Sequence, residues 1–305
     1  MWGIRQSVYF AGHGKKYIPV ERLNIRSFAL GPPAFYIGNM TQPPALFDPY
    51  LHHANRLSED ALFLHKHAAE ELYDRLKMVN KTFTKVAIVT GHGVVFDNFQ
   101  LTADIIAPQD TLDLGAGEYD LILHFMALHR QNDPVGQLIQ INRALRPDGL
   151  FLGACFGGKS LEELRAALLQ ADSRINNGAA PRVAPMMDIR DAGALMQRAG
   201  FAMPVVDSEE TNITYPDLKK ALYDLRHMGE SNPLAARSRH FTKRAIFDEA
   251  QSILRPSDHA RLGITAEVLF FSGWAPSPDQ PKPLKPGSAA IRLEEALRHA
   301  KDAME

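Results

Sequence analysis

From residue 58 onward, short apolar runs alternate with amphipathic stretches. Leu64, Ala68, Leu72, Leu76 and Val79 recur every three or four residues, which predicts a helix over Ser58–Val79 with those side chains buried. Ser58 stands where an N-cap belongs, and Glu59 and Asp60 follow in the first turn, where the helix dipole favours negative charge. Three runs, Val86–Val89, Tyr119–Leu123 and Gly149–Ala154, are bounded by polar, Gly or Pro residues and predict parallel strands covered on both faces. Ser160-Leu161-Glu162-Glu163 has the form of a capping box, opening a helix with Leu161, Leu164, Leu168 and Ala171 on one face. A helix over Asp188–Ala199 stops at Gly200, Phe201–Tyr215 reads as a strand, and Pro216 opens a helix to Met228. Another helix is expected over Leu234–Leu254 and a final strand over Ala266–Ser272. The alternation predicts one doubly wound α/β domain.

The flanks differ. Residues 1–39 carry Arg5, Lys15, Lys16, Arg22 and Arg26 against Glu21, with Pro19, Pro32 and Pro33. Arg-rich and acid-poor describes a mitochondrial transit peptide, whereas the prolines suit a disordered leader, or a start at Met40. At the other end, five prolines between Pro276 and Pro286 make a stiff linker before a short helix capped by Ser288. The expected division is therefore leader 1–39, domain 40–275 and tail 276–305.

Composition narrows the class. The 305 residues hold 34 Lys+Arg against 35 Asp+Glu, a net charge of −1, which argues against general attraction to nucleic acid or anionic lipid. The single cysteine, Cys155, excludes an internal disulfide framework and fits a reducing compartment: the bacterial cytoplasm, or the mitochondrial matrix if the leader is a transit peptide. No apolar run approaches the roughly 18 residues of a membrane span.

Two segments compete for a nucleotide-binding turn. Leu112-Asp113-Leu114-Gly115-Ala116-Gly117 has the right letters, but Glu118 and the strand at Tyr119 follow at once. The helix whose N-terminus must face a ligand has no room there, so residues 107–118 read as a loop. Val86 to Gly93 has the better context: strand, Gly91-His92-Gly93, then a candidate helix over Val94–Leu101. Glycine matters there because a Cβ holds the backbone away from a ligand, although a tight strand-to-helix turn explains the same glycines. A complete nucleotide-binding half takes about 50 to 60 residues at normal element lengths. The segment from Gly91 to Glu118 is much shorter, so one βα unit is expected to be shortened or lost. Asp104 and Asp110 are the stand-ins for the carboxylate that grips a ribose about 20 residues after the glycines.

His129 follows a strand and is a candidate proton acceptor, but a histidine at such a junction also packs or caps; His124 is similar. Asp120 begins a strand and is either a site residue or a turn residue. Cys155 has no basic neighbour in sequence to activate it and reads as an inert buried thiol. In Met228-Gly229-Glu230-Ser231-Asn232, Gly229 ends one helix and Ser231 or Asn232 caps the next, which assigns nothing to Glu230. A carboxylate there is a candidate partner for a guanidinium. Arg237, Arg239, His240, Lys243 and Arg244 read as a solvated helix face. His52, His53, His65 and His67 lie at spacings that do not share one helix face, so no metal set is expected.

From about Phe47 to Trp274 the chain resembles the class I S-adenosyl-L-methionine (SAM)-dependent methyltransferases. The branch is that of the mitochondrial complex I assembly factor 5 proteins and their bacterial relatives, related to the malonyl-carrier-protein methyltransferases of biotin synthesis. Phe47-Asp48, Tyr119–Ile122, Ala127-Leu128-His129, Asn132-Asp133 and Leu145–Phe151 carry the resemblance. So do Phe156-Gly157-Gly158, Leu161–Arg165, Arg198–Phe201, Met228–Asn232 and Gly273-Trp274. It implies a Rossmann-like sheet, mostly parallel with an antiparallel last strand and shortened in its cofactor half. It implies a SAM pocket at Gly91, His92 and Gly93, near Asp110 and at the strand end at His124. It also implies a part in assembling respiratory complex I, the mitochondrial members being associated with arginine hydroxylation. The expected activity is methyl transfer to a protein or acyl-carrier substrate by direct displacement, which rests on positioning and needs no nucleophilic side chain; His129 and Glu230 are the candidate catalytic residues. Ile88 where an acidic residue is usual, Val95 where a third glycine is common, and the short 91–118 segment favour the alternative: a degenerate assembly factor with weak or no SAM binding.

Overall fold

The apolar runs form β1 (Val86–Thr90), β2 (Ala103–Ile106), β3 (Tyr119–Phe125), β4 (Leu145–Phe156), β5 (Ala202–Tyr215) and β6 (Leu262–Trp274). The periodic stretches form α1 (Phe63–Lys77), α2 (Pro134–Ala144), α3 (Glu162–Asn176), α4 (Ile189–Arg198), α5 (Leu218–His227) and α6 (Arg244–Leu254). The structure, a computed structural model, describes residues 45–48, 58–91, 102–255 and 261–280. The predicted leader, His52, His53, His92, Gly93, the helix expected over Val94–Leu101 and the C-terminal helix lie outside these residues.

The described strands make one sheet in the order β2-β1-β3-β4-β6-β5. β2, β1, β3 and β4 run parallel, and β6 runs antiparallel between β4 and β5. The last strand of the chain is thus the antiparallel one. Alternation along the strands sorts two cores. Val86, Ile88, Leu121, Leu123, Leu150 and Leu152 face the stripe of α1, Leu64, Ala68, Leu72 and Leu76. Ala87, Val89, Ile122, Phe151 and Phe271 face Leu138 and Ile141 of α2 and Ala192 and Met196 of α4. A fully buried leucine such as Leu72 contributes about 1.5–3 kcal/mol by leaving water.

Four local expectations give way to tertiary packing. Ser58 opens a 3₁₀ turn, Glu59–Ala61, and α1 begins at Phe63 after an N-cap, Leu62, that makes no side-chain bond. The capping box at Ser160 does not form: Ser160 Oγ donates to the Glu267 carbonyl and accepts from its N–H, while Glu163 takes Thr265 N–H and hydroxyl. Both side chains anchor α3 to β6 rather than to its own first turn. Residues 234–243 are not helical, because Leu234 pairs with Phe47 in an isolated bridge and Arg237 bonds Asp48 at 2.9 Å; only Arg244–Leu254 is helix. Finally, Asn232 Oδ1 accepts from Leu234 N–H in a turn, so neither Ser231 nor Asn232 caps a following helix.

The sheet edge is where the cofactor half is short. β2 is four residues long and pairs with β1 in register, Val86 with Ala103 through Val89 with Ile106. A doubly wound half continues with a third strand beyond β2, but among the described residues the chain instead runs as a loop through 107–118 into β3. Three glutamine amides hold that loop. Gln131 donates to the Pro108 carbonyl, Gln137 to that of Gln109 and Gln140 to that of Asp110, while Gln140 Oε1 accepts from Leu112 N–H. Leu112 is buried in the second core. The Leu112–Gly117 segment is thus structural filling rather than a strand-and-helix turn.

Candidate functional site

In open α/β sheets ligands gather outside the carboxyl ends of the strands. β3 ends at Phe125, and Met126, with a left-handed φ of 48°, swings the chain into a 3₁₀ turn, Leu128–Arg130. His129 and Arg130 therefore stand directly beyond the strand. Glu230 arrives from the end of α5. Gly229 has a φ of 90°, its N–H bonds the Arg226 carbonyl and Glu230 N–H bonds that of Leu225, which is a Schellman termination. The reversal that requires glycine is what carries Glu230 back to the sheet.

There Glu230 Oε2 lies 3.1 Å from His129 Nε2 and 3.8 Å from Arg130 Nη1, and Oε1 lies 3.9 Å from Nε2 of His65 on α1. Arg130 also donates to the Gly229 carbonyl. The Phe156 ring stands nearly perpendicular to both imidazoles, at centroid distances of 5.9 Å for His65 and 5.3 Å for His129. All four polar side chains are buried. A lone buried carboxylate costs several kcal/mol. This one faces a permanently charged guanidinium and two imidazoles.

The cluster opens on a cleft of about 310 Å³. Its charged lining comprises Arg130, Arg182, Arg226 and Arg237 against the one carboxylate of Glu230. Arg182 is pinned by a two-pronged bond to Asp172 and by Thr242, and that guanidinium holds the Asp172 carboxyl below its usual range. His129 Nδ1 and Arg130 Nε are buried without a hydrogen-bond partner among the described residues.

The structure thus brings together the two candidate catalytic residues, His129 and Glu230, from segments 101 positions apart. Arg130 and His65 were missed, although each left a signal. Arg130 directly follows the histidine after a strand, and His65 sits inside the buried stripe of α1.

Of the cofactor-side candidates, Gly91, Asp110 and His124 lie among the described residues. Gly91 ends the β1 run, exposed, and a Cβ on it would lie 3.3 Å from the Pro108 ring. Ile106-Ala107-Pro108 puts no carboxylate at the end of β2. Asp110 is exposed, its carbonyl tied to Gln140. Asp104 turns to Lys85 at 2.6 Å and to the Tyr119 hydroxyl at 3.2 Å, toward the start of β1. His124 is buried against α2, its Nε2 at 3.0 Å from Gln137 Oε1, and burial pushes its pKa down to about 4. The ring is a neutral packing group. Asp120 accepts from Thr84 N–H, Thr84 hydroxyl and Lys85 N–H, so it serves the entry to β1 at the opposite end from the strand ends. Burial raises the Cys155 thiol pKa, and Glu230 and Glu267 add to that rise, so it is inert.

A family model described as "Methyltransferase domain" matches residues 38–204. The chain is 34% identical over 203 residues to the mitochondrial arginine-hydroxylase NDUFAF5 of Danio rerio, an alignment covering 65% of this chain and 62% of that protein. It is 32% identical over 200 residues to the protein of that name in Homo sapiens, covering 64% and 57%. It is also 32% identical over 190 residues to the malonyl-[acyl-carrier protein] O-methyltransferase of Laribacter hongkongensis, covering 62% of each. The chain therefore spans less than two thirds of these relatives' own lengths.

Proposed function

The chain belongs to the methyltransferase-domain family, and from that premise we propose that it transfers a methyl group from SAM to an acidic group on a protein or carrier-bound substrate. The observation that carries the reading is the arginine-lined cleft at the carboxyl ends of β3 and β4, beside His129 and Glu230. Arg182 and Arg237 already face Asp172 and Asp48, and Arg226 with Arg130 are the guanidinium groups of the lining that suit a carboxylate on the substrate. For the same reason Glu230 is a poor receptor for a guanidinium: Arg130 and His129 already face it. The kinship with the malonyl-[acyl-carrier protein] O-methyltransferase agrees with an acid acceptor. Kinship with NDUFAF5 extends the proposal to a protein substrate in respiratory complex I assembly.

Bound SAM supplies an electrophilic methyl on its sulfonium. Arg130, which lines the cleft, binds one oxygen of the acceptor, and Glu230 with His129 holds Arg130 in place. A carboxylate acceptor is already deprotonated, so positioning is the whole of the chain's task. For the cofactor itself, Gly91 offers close backbone approach at the end of β1, with His92 and Gly93 following it. Among the described residues no carboxylate stands at the end of β2, where a ribose would be clasped. The fit is therefore partial, and weak SAM binding is expected. A second reading, a binding factor without catalysis, is favoured by the sheet of the described residues, which ends at β2 with no third strand beyond it.

Calorimetric titration with SAM separates the two. Binding in the micromolar range, with label transferred from methyl-labelled SAM to malonyl-carrier protein, supports the enzyme. No heat and no thermal shift at millimolar SAM leaves the binding factor. No helix among the described residues is long and apolar enough to cross a membrane.

A further inference from the structure

Away from the cleft, His67, Glu71 and Arg75 follow one another at i, i+4 and i+8 along α1, so they share one face. On β5, Asp207 and Glu209 pair with Phe270 and Val268 of β6. Those two belong to the core beneath α1, so both carboxylates project toward the helix. Arg75 Nη2 meets Asp207 Oδ1 at 2.7 Å and Nη1 meets Glu71 Oε2 at 2.7 Å. His67 Nε2 lies 2.8 Å from Glu209 Oε1. One ligand atom each from His67, Glu71 and Glu209 falls within 4.8 Å of the other two. The rule that excluded pairs among the histidines does not exclude a His–Glu pair one turn apart.

We propose that His67, Glu71 and Glu209 form a binding site for a divalent transition-metal ion of the zinc class. Glu71 and Asp207 share the one guanidinium of Arg75 while Glu209 meets the His67 imidazole, so three carboxylates stand against one permanent positive charge, an excess that a divalent cation neutralises. The imidazole selects among cations, since it suits zinc, iron, nickel or copper far better than magnesium or calcium. Tetrahedral ligands at bonds of about 2.0–2.2 Å stand roughly 3.4 Å apart. Closing the three atoms onto an ion thus needs them to draw together by at most about 1.4 Å. Arg75 takes Oε2 of Glu71 and leaves Oε1 for the ion, as an outer-shell partner does. Three protein ligands leave the fourth position to water.

The test is a Co²⁺ titration of the full chain after chelator treatment, followed by visible absorption, with Zn²⁺, Mg²⁺ and Ca²⁺ as competitors. The sequence holds 12 histidines, so His67→Ala and Glu209→Gln identify the site, each checked for folding by circular dichroism. Expected is a four-coordinate Co²⁺ spectrum that Zn²⁺ removes and a hundredfold excess of Mg²⁺ or Ca²⁺ does not. Each substitution should weaken binding at least about tenfold. Absence of the spectrum in the wild type, wild-type affinity in both variants, or equal competition by Ca²⁺ overturns the proposal.

Discussion

Replacing His124 by Gln should flatten the acid sensitivity of the fold. The ring is fully buried and neutral, with a pKa of about 4 against 6.5 for a free imidazole. Burial is the largest cause, and nearby His129 also lowers the value, against the hydrogen bond to Gln137. Between those two pH values the unfolded chain binds a proton at this ring and the folded chain does not. Unfolding free energy therefore falls as pH falls through 6.5, and the loss levels off below about 4. At one pH unit per 1.36 kcal/mol, the drop from pH 7 to pH 5 from this ring is about 2 kcal/mol. Glutamine carries an amide where the ring carries Nε2, so a bond to Gln137 remains available, and it does not titrate. Urea unfolding of wild type and H124Q at pH 7 and pH 5 isolates the effect. The other carboxylates and histidines titrate in both proteins and cancel in the difference between the two drops. The wild type should lose about 2 kcal/mol more than the variant over this range. Equal losses, within about 0.5 kcal/mol, would mean that the ring is charged or wetted in the folded state, and with it the assignment of His124 as a packing group would fall.

Leu72→Ala removes a fully buried side chain where α1 meets the sheet and should cost about 2–5 kcal/mol in unfolding free energy, read from the urea midpoint. Gly115→Ala should leave SAM titration and stability unchanged, because its Cβ meets only the movable Glu118 side chain; lost SAM binding would return the Leu112–Gly117 segment to the site. Gly229→Ala forces a Cβ into a φ of 90° and should cost about 1–2 kcal/mol, with weaker substrate binding since Glu230 follows it. Glu230→Gln leaves Arg130 buried opposite a neutral group and should destabilise the fold by about 3–5 kcal/mol; a loss under about 1 kcal/mol in thermal melts would show that the charge is not held there.

Elements whose local and global demands agree were legible: the apolar runs at β1, β3 and β4, and α4 between Asp188 and Gly200. Elements defined by a partner were not. Ala-Asp-Ile-Ile becomes β2 only by lying in register with β1, and two of its four residues, Asp104 and Ile105, are exposed. Ser160 and Glu163 carry the letters of a cap, but β6 offers them buried N–H and carbonyl groups that would otherwise go unpaired, and those win. The same reasoning sorts the candidate residues. Asp120 had an ordinary local explanation as a residue at a strand start, and it does ordinary local work at Thr84. Glu230 had none: Gly229 accounts for the helix end, and nothing near it in sequence needs a carboxylate. A charged residue without a local use, placed where the chain must bury it, has to be answered by charge from elsewhere in the fold. Here the answer is His129 and Arg130, about a hundred residues earlier and next to each other beyond β3. Their convergence is what supports placing the proposed acceptor site beyond β3, while Gly91 stands with the Pro108 ring beside it and, among the described residues, no carboxylate at the end of β2.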